Sequence, residues 1–402
     1  MNDARVLEDA PWLRSGPAAR VLKLLNGGGE EARVVGGAVR DALAGRAVAD
    51  IDLATPRPPD DIVRALTEAG IRAVPTGIAH GTVTAVAGGR GFEVTTLRRD
   101  VETDGRHASV AFTEDWRVDA ARRDFTINAM SLTADGAVYD YFSGIADLRA
   151  GVVRFVGDPA IRIAEDYLRI LRFFRFCARY GSGAPDPAAL AAIRAGVPGL
   201  AILSVERVWS ELQRILAAPD PSGAVALMAD LGVLAAVLPE GADPAKLARL
   251  VAAGAPADPV LRLAALLTGD AEALALRLKL STAEREYLIA LRGLPIPQPG
   301  DDDDTSRRQL ADELPNILIG RAWLAGGDAP DWSQLRARLA AIPRPVFPME
   351  GRDALALGVA PGPAMGVLLR DTRNWWLAGG CRADASACRA EFAAQLARRA
   401  RG

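Results

Sequence analysis

Hydrophobic positions in the first 150 residues come in short runs that alternate with polar residues and are separated by glycine-containing turns. Such alternation over four to eight residues is typical of half-buried β-strands. A short helical segment follows the glycine pair that ends the first run. The pattern predicts strands over Arg33–Val35, Ile51–Leu53, Gly81–Ala87, Phe92–Leu97 and Ala137–Phe142, and a helix over Ala38–Ala44.

After Asp158 the hydrophobic spacing changes to that of amphipathic helices, and the composition becomes rich in Ala, Leu and Arg. This spacing predicts helices over Ile161–Tyr180, Pro187–Ala195 and Val205–Ala217, and strand signals are sparse in the second half. The strands of the first part are not regularly followed by crossover helices. The sequence therefore predicts an α+β fold, with a small mixed sheet followed by an all-helical remainder.

The length of the chain, 402 residues of which 50% are hydrophobic, is enough to bury more than one core. Breaks that contain Gly and Pro, at Pro219–Gly223 and Pro295–Asp304, suggest domain boundaries in the helical part. The acidic run Asp301–Asp304 is most simply a solvated linker. A net charge of −2 argues against a protein that coats nucleic acid through bulk charge, although it leaves room for local basic surfaces.

Cysteine and histidine are scarce, with three cysteines, two histidines and no CxxC motif in the chain. This composition excludes a disulfide framework and disfavours zinc chemistry. No apolar stretch reaches transmembrane length, and the first residues do not resemble a secretion signal. We therefore expect no membrane association and a reducing, cytoplasmic compartment.

Gly36 and Gly37 follow the first predicted strand and precede the short helix that contains Arg40. A glycine pair lets backbone N–H groups approach a phosphate, a helix N-terminus favours negative charge, and the arginine adds a charged donor. A tight turn is the ordinary alternative. A dinucleotide-binding fold of the Rossmann type is disfavoured, because the glycines are not followed by a full GxGxxG pattern.

Asp50 and Asp52 stand two residues apart, and a strand would project both carboxylates from the same face. Two like charges so close are costly unless a cation lies between them, and Mg²⁺ binds carboxylate oxygens together with substrate phosphates. Glu93, on another predicted strand, would complete a two-metal catalytic site. The alternatives are an exposed strand end or an Asx turn for the aspartates, and a merely exposed position for the glutamate.

A second polar cluster, RRDFTINAM, runs from position 122 to position 130. Arg123 is suited to pair with a phosphate, and Asp124 and Asn128 are suited to bind ribose hydroxyls. The alternative is a surface turn whose apolar residues enter the core. Both interpretations can hold together, because the apolar residues would anchor the segment while the polar ones contact a ligand.

Asp166 and Arg169 are three positions apart at the start of the predicted helix EDYLRILRFFRF, so they would share a face. Cytosine and adenine both present an exocyclic amine beside a ring-nitrogen acceptor, and a carboxylate next to a guanidinium is the complement of that pattern. Uracil and guanine would leave both protein groups mispaired, which is costly in a desolvated pocket. The pair would thus accept CTP and ATP without a nucleic-acid template, unless it is an ordinary intrahelical ion pair.

The motifs GGAVRD with DID, RRDFTINAM and EDYLRILRFFRF, in this order, resemble those of the bacterial class II tRNA nucleotidyltransferase and poly(A) polymerase family of the polymerase β superfamily. SVERVWSEL at 204–212 resembles the next helical motif of that family. The resemblance implies four domains. These are a catalytic nucleotidyltransferase head at 1–155, a base-recognising helical neck at 156–218, a helical body at 219–300 and an RNA-binding helical tail at 301–402.

The same resemblance implies roles for the matching residues of this chain. Asp50 and Asp52 would hold the metal ions, and Asp166 and Arg169 would read the incoming base. The other residues with implied roles are Gly36, Gly37 and Arg40 on the triphosphate, Arg123, Asp124 and Asn128 on the nucleotide, and Arg172 and Arg175 in phosphate contact or in bracing the site.

The stretch 95–107 resembles a flexible loop that CCA-adding members of the family retain, and it contains Arg98, Asp100, Arg106 and His107. The resemblance favours the addition of CCA, from CTP and ATP, to the 3′ end of tRNA. A poly(A) polymerase of the same family is the close alternative, because both activities share these motifs. A catalytically inactive RNA-binding regulator is a further alternative, which the retained aspartates disfavour. The sequence leaves the oligomeric state open.

Overall fold

The strands of the first part follow the alternating pattern of the sequence, with additions that the pattern did not predict. The structure is a computed structural model that describes residues 10–27, 31–103 and 108–400. Its strands are β1 Arg33–Val35, β2 Asp52–Thr55, β3 Arg72–Gly77, β4 Thr82–Ala87, β5 Arg90–Thr96, β6 Arg98–Thr103, β7 Ala108–Phe112, β8 Met130–Leu132 and β9 Val138–Asp140.

Seven of these strands form one mixed sheet in the order β3-β4-β5-β2-β1-β8-β9. β2 pairs with β5 in parallel, and the other neighbours are antiparallel. The pleat turns alternate side chains into the core: Val83, Ala85 and Ala87 of β4 are buried, and the residues between them are partly exposed. β6 and β7 pair with each other as a separate antiparallel ribbon. The predicted small mixed sheet is confirmed.

Helices account for most of the remainder, as the sequence predicts. Several begin with an aspartate whose carboxylate accepts from the first backbone N–H groups, followed by proline at the first helical position; Asp158, Asp186 and Asp243 are examples. Within the described ranges no helix has both the length and the apolar character needed to cross a membrane. The helices are α1 Pro11–Arg14, α2 Pro17–Leu25, α3 Gly37–Leu43, α4 Pro59–Glu68, α5 Trp116–Ala121, α6 Gly144–Ala150, α7 Pro159–Glu165, α8 Leu168–Tyr180, α9 Pro187–Gly196, α10 Val205–Leu216, α11 Ser222–Asp230, α12 Val233–Val237, α13 Pro244–Ala252, α14 Pro259–Leu266, α15 Ala271–Arg277, α16 Thr282–Leu291, α17 Asp303–Asp312, α18 Pro315–Gly326, α19 Pro330–Ala341, α20 Gly351–Ala356, α21 Pro363–Ala378 and α22 Ala385–Ala400.

The chain divides into two compact units, residues 1–239 and residues 240–402. The first unit contains the mixed sheet and α1 to α12, and the second contains α13 to α22. Two apolar clusters of the second unit are built around Leu318 and around Phe392. The finer division into head, neck, body and tail stays a prediction.

The helix predicted over Ile161–Tyr180 is divided in two, because Asp166 has an extended backbone with φ −158° and ψ 107°. α7 ends at Glu165, and α8 begins at Leu168. The Asp166 carboxylate accepts from the backbone N–H of Leu168 at 3.1 Å, a local bond by which aspartate competes with helix continuation. The prediction of one continuous helix is therefore wrong at this point.

The acidic run predicted as a linker leads into a helix, because Asp301 and Asp302 precede α17 and Asp303 begins it. The carboxylate of Asp302, just before α17, accepts from the backbone N–H of Thr305 at 2.7 Å. Asp304 lies in the first turn and pairs with Arg382 at 2.7 Å. The helix dipole stabilises negative charge at a helix N-terminus. The linker prediction is wrong for Asp303 and Asp304, which are helical.

Four buried phenylalanines pack between the segment after α5 and helix α8. The ring centroid of Phe125 lies 4.8 Å from that of Phe155 and 5.2 Å from that of Phe176, and Phe155 stacks on Phe173 at 5.9 Å. The backbones of Phe125 and Phe155 also form a β-bridge. Buried aromatic side chains contribute large packing energies. This aromatic core therefore fixes α8 against the RRDFTINAM segment.

Candidate active site

The turn between β1 and α3 is formed by Gly36, whose φ of +68° is a conformation that glycine adopts without steric cost. A Cβ atom at this position would lie 3.0 Å from Nη1 of Arg123. A Cβ atom on Gly37 would lie 3.5 Å from Nη2 of Arg40. The bare turn therefore lets two guanidinium groups lie against the backbone.

A cleft of about 490 Å³ opens over this turn. Seven arginines but three aspartates line it, and this excess of positive charge suits an anionic ligand. Residues from all three sequence motifs meet there. Those predicted from the sequence are Gly36, Gly37, Arg40, Asp52, Arg123, Asp124, Asn128, Asp166, Arg169, Arg172 and Arg175, and those not predicted as site residues are Arg122, Leu168, Phe176 and Arg207.

Asp52 is the first residue of β2, and the parallel register of β2 with β5 sets it beside Glu93. Partial withdrawal from solvent raises the pKa of Asp52, and the charge of Glu93 raises it further. The charge of Arg123 opposes this shift, and the charge of Asp50 adds to it. Asp50 lies two residues before the start of β2 and outside any strand, so the prediction that one strand carries both aspartates is wrong. The acidic groups around Asp52 thus repel its charge.

These carboxylates fit a divalent cation. Mg²⁺ binds through one or two carboxylates and fills its octahedral shell with water and substrate phosphates. A cation would relieve the repulsion that raises the pKa of Asp52. In the described part of the chain, no three acidic, histidine or cysteine side chains converge closely enough to form a complete ligand set. The other ligands would therefore come from water and a bound phosphate.

Asp119 of α5 holds two of the arginines of the cleft. Its buried carboxylate lies 2.8 Å from Nε of Arg122 and 3.2 Å from Nη2 of Arg123. Burial alone would raise the pKa of Asp119, but the charges of Arg123 and Arg122 outweigh it and hold this pKa below its ordinary value. No sequence motif pointed to Asp119, although it precedes the arginines by the three and four positions typical of helical ion pairs.

Asp124 is buried, and protein donors occupy both of its oxygens. Oδ1 accepts from Nδ2 of Asn128 and from the backbone N–H of Phe125, both at 2.9 Å. Oδ2 accepts from Nε of Arg172 at 2.6 Å and lies 2.5 Å from its Nη2. Burial opposes ionisation, but the charge of Arg172 and the bond from Asn128 lower the pKa of Asp124 on balance. Four donors fill the lone pairs of a carboxylate, so a ribose contact would displace one of them.

Asp166 and Arg169 lie in the same cleft, but each pairs with a different partner. Oδ2 of Asp166 accepts from Nη2 of Arg207, on α10, at 2.6 Å. Arg169 pairs with Glu165 and donates from Nη1 to the carbonyl oxygen of Arg162 at 2.7 Å. Asp166 and Arg169 therefore do not form an ion pair with each other, which was the alternative that the sequence left open.

Helix α10 braces α8 a second time through the buried carboxylate of Glu211. Its Oε2 lies 2.8 Å from Nε of Arg175, and its Oε1 lies 3.6 Å from Nη1 of Arg214. Burial lowers the pKa of Arg175, and the charge of Glu211 opposes that shift. Arg172 is thus held by Asp124, whereas Arg175 is held by α10.

The stretch predicted to be a flexible loop is the antiparallel ribbon β6–β7, as far as the structure describes it. Arg98 opens the ribbon, donates to the carbonyl oxygen of His80 and does not line the cleft. The side chain of Asp100, and Arg106 and His107 entirely, lie outside the described residues. A loop role for these four residues therefore stays a prediction.

A larger cleft, of about 700 Å³, lies in the second unit. Two arginines in its lining are engaged by the backbone: Nη1 of Arg292 donates to the carbonyl oxygen of Leu267, and Nε of Arg321 to that of Ala290, both at 2.7 Å. Asp328 is the one carboxylate residue in this lining. This larger cleft has no pair of carboxylates in its lining, so we do not assign the reaction to it.

Transfer of a nucleotidyl group needs a place for a triphosphate beside acidic side chains. The cleft of the first unit has basic side chains together with Asp52, whose charge interacts with those of Glu93 and Asp50. By class, the protein is a metal-dependent nucleotidyltransferase. A family model described as "Poly A polymerase head domain" matches residues 32–154, and one described as "Probable RNA and SrmB- binding site of polymerase A" matches residues 184–243. The chain belongs to the CCA tRNA nucleotidyltransferases, or CCA-adding enzymes.

Individual relatives support this assignment over most of the chain. The mitochondrial CCA tRNA nucleotidyltransferase 1 of Danio rerio is 39% identical over 365 residues, which cover 86% of this chain and 83% of the relative. The CCA-adding enzyme of Lacticaseibacillus paracasei is 32% identical over 381 residues, covering 90% and 92%. The Bacillus stearothermophilus CCA-adding enzyme in complex with CTP superposes with a TM-score of 0.77 at 27% identity, covering 98% of this chain and 99% of that one. The family predicted from the motifs is confirmed.

Proposed function

We propose that this protein adds the CCA end to tRNA, one nucleotide at a time, from CTP and ATP and without a nucleic-acid template. The observation that carries the proposal is the single cleft in which the glycine turn and Asp52 meet Asp166 and Arg169. In each step the 3′ oxygen of the RNA bonds to the α-phosphorus of the nucleotide, its proton is lost, and the bond to pyrophosphate breaks. Solved structures of relatives include CCA-adding enzymes with CTP and with tRNA.

The phosphate end of the site would combine bare backbone with carboxylates. Gly36 and Gly37 leave room for phosphate oxygens, and Arg123 flanks them. Asp50 and Asp52 would hold Mg²⁺, with Glu93 as the neighbouring third carboxylate. When bound, the metal activates the 3′-hydroxyl and neutralises charge on the triphosphate.

Base selection would follow from an exchange of partners at the start of α8. Arg207 occupies the carboxylate of Asp166, and Glu165 occupies the guanidinium of Arg169. The amine and ring nitrogen of cytosine or adenine would replace both partners at once. Uracil and guanine offer a carbonyl and a ring N–H instead, so they would leave two charged groups mispaired in the cleft. Only a base that satisfies both groups compensates for the partners that it displaces.

The ribose would be met by the amide of Asn128 more readily than by Asp124. Oδ1 of Asn128 accepts from Arg40 at 2.5 Å, and one proton of Nδ2 is donated to Asp124. The amide keeps a second N–H for a ribose oxygen. Asp124 would reach the ribose by releasing Arg172 or Asn128, whereas Arg172 and Arg175 would brace the site or contact phosphates.

The thiols suit a reducing compartment, and we place the protein in the cytoplasm. All three cysteines are free. Burial raises the pKa of Cys177 to about 12, which makes this thiol unreactive. Free thiols are typical of proteins in compartments where disulfides do not persist.

A single assay tests the activity: purified protein, Mg²⁺ and a tRNA that lacks its CCA end, with CTP, ATP or both. We expect two nucleotides from CTP alone and three from the mixture. Long A tracts from ATP alone would indicate a poly(A) polymerase. Absence of incorporation into any RNA would indicate a regulator without catalysis.

Replacing Arg169 with alanine is expected to loosen nucleotide choice. A good bidentate contact to a base edge provides about 1–3 kcal/mol of discrimination, so the ratio of kcat/KM for CTP over that for UTP should fall about 5- to 150-fold. Single-nucleotide extension of tRNA measures this ratio. Arg194→Ala, which removes an exposed arginine of α9, is the matched control and should keep the wild-type ratio. Unchanged discrimination in the Arg169 variant would exclude direct base reading.

A further inference from the structure

Asp41 follows Arg40 in the glycine-turn motif, and the nucleotide contacts leave it without a role. Its side chain is 17% exposed. Oδ1 accepts from Nε of Arg40 at 3.1 Å and lies 3.0 Å from Nη2 of the same guanidinium. The hydroxyl of Tyr180, the last residue of α8, donates to the same carboxylate oxygen. Asp41 therefore connects the end of α8 to Arg40.

The guanidinium of Arg40 has five N–H donors, and residues in the described part of the chain engage three of them. Nε and one proton of Nη2 face Asp41, and Nη1 donates one proton to Oδ1 of Asn128 at 2.5 Å. The two remaining N–H groups, one on each terminal nitrogen, belong to a side chain that lines the cleft. N–H groups on the two terminal nitrogens of a guanidinium can bind a phosphate bidentately as a fork.

Aromatic rings of α8 hold the same guanidinium. Cζ of Arg40 lies 4.6 Å from the ring centroid of Tyr180 and 5.0 Å from that of Phe176. Cζ of Arg46 lies 4.6 Å from the Tyr180 ring as well. Burial, and then the bond to Asp41, raise the pKa of Tyr180 despite the charge of Arg40. The hydroxyl therefore keeps its proton and remains a donor.

We infer that Tyr180 is a positioning residue for the triphosphate: through Asp41, it orients Arg40 so that the free N–H fork faces the phosphates. This inference rests on the proposed function, in which Arg40 binds the triphosphate of CTP or ATP. The start of α8 lies next to Asp166, and its last residue is Tyr180. One helix thus contacts the base end and, through Asp41, the phosphate end of the nucleotide site.

The test is Tyr180→Phe, which keeps the ring and removes the hydroxyl alone. The dissociation constants of inorganic pyrophosphate and of CTP are measured by calorimetry with Mg²⁺ and without RNA. We expect both to rise about 5- to 20-fold, the effect of losing one hydrogen bond in a charged network. The preference for CTP over UTP should stay unchanged, because the base-reading side chains are untouched. A general loosening of the fold would instead lower the Tm and disturb base choice.

Matched variants separate the positioning role from other effects. Tyr287→Phe removes a half-buried phenol hydroxyl of the second unit and should leave both constants unchanged. Asp41→Asn should weaken pyrophosphate binding as Tyr180→Phe does. In an Arg40→Ala background, Tyr180→Phe should add no further loss, because its effect is exerted through that arginine.

Unchanged pyrophosphate affinity in Tyr180→Phe, or a further loss in the Arg40→Ala background, would overturn the inference. A wild-type protein that binds CTP and pyrophosphate but extends no tRNA would remove the proposed activity and leave the positioning role of Tyr180 standing. A wild-type protein that binds neither compound would refute both.

Discussion

Asp52→Asn should reduce nucleotide incorporation into tRNA by about 1000-fold or more, since a catalytic metal ion contributes several kcal/mol of transition-state stabilisation. Asparagine has nearly the same shape, but it lacks the charge that would hold the cation. Asp52 opens β2 beside Glu93, and both would lie next to the triphosphate. Incorporation of labelled CTP measures the effect, and wild-type activity in this variant would eliminate the proposed metal site.

The same substitution should leave the fold intact or stabilise it slightly. The pKa of Asp52 is raised in the folded protein, first by withdrawal from solvent and then by the charge of Glu93. A carboxyl group with a raised pKa favours the unfolded chain once the pH is above that pKa, because ionisation is easier there. At neutral pH the asparagine removes this unfavourable charge, so the Tm should stay equal or rise. Asp230→Asn, in an exposed aspartate of α11, is the control and should change neither activity nor Tm.

Gly36→Ala should lower kcat/KM for CTP by about 100-fold, because the methyl group would enter the space that the turn leaves for phosphate oxygens, and a misplacement of about 1 Å typically costs that much. The new Cβ would also lie 3.0 Å from Nη1 of Arg123, so the guanidinium has to shift by a few tenths of an ångström. The backbone φ of +68° adds strain of about 1–2 kcal/mol. Steady-state extension of tRNA with CTP measures the loss of activity.

Gly45→Ala is the matched control for this substitution. Its φ is +66°, but no atom lies within 4 Å of the added Cβ. Both variants should therefore lose similar unfolding free energy, whereas the activity falls in Gly36→Ala alone. Equal activities in the two variants would show that the close approach of Arg123 to the turn is irrelevant to catalysis.

Secondary structure was predictable from the sequence where a local pattern determines it. β4 and β5 alternate between core and solvent, so their positions follow from hydrophobic spacing. β3 lies at the edge of the sheet and has no buried residue, so its sequence lacks the alternation of hydrophobic and polar positions that predicts a strand. The break at Asp166 interrupts a stretch with continuous helical spacing, and it depends on a side-chain bond to the backbone of Leu168.

Candidate site residues were predictable because each motif is short and carries distinctive chemistry. Their partners were not, because these come from distant parts of the chain. Arg207 reaches Asp166 across 41 positions, and Tyr180 reaches Asp41 across 139. Such pairs depend on how the helices pack on one another. The spacing of residues within one segment does not predict that packing. The alternative of an ion pair between Asp166 and Arg169 failed for the same reason.

The aromatic core formed by Phe125, Phe155, Phe173 and Phe176 has a consequence for fidelity on heating. These rings join α8, which would choose the base, to the segment that would hold the sugar and phosphates. Neither wall of the cleft can loosen without exposing the same buried rings. Thermal unfolding should therefore abolish catalysis and base selection together. A warmed sample is expected to lose activity, and it should not become an active enzyme that adds incorrect nucleotides.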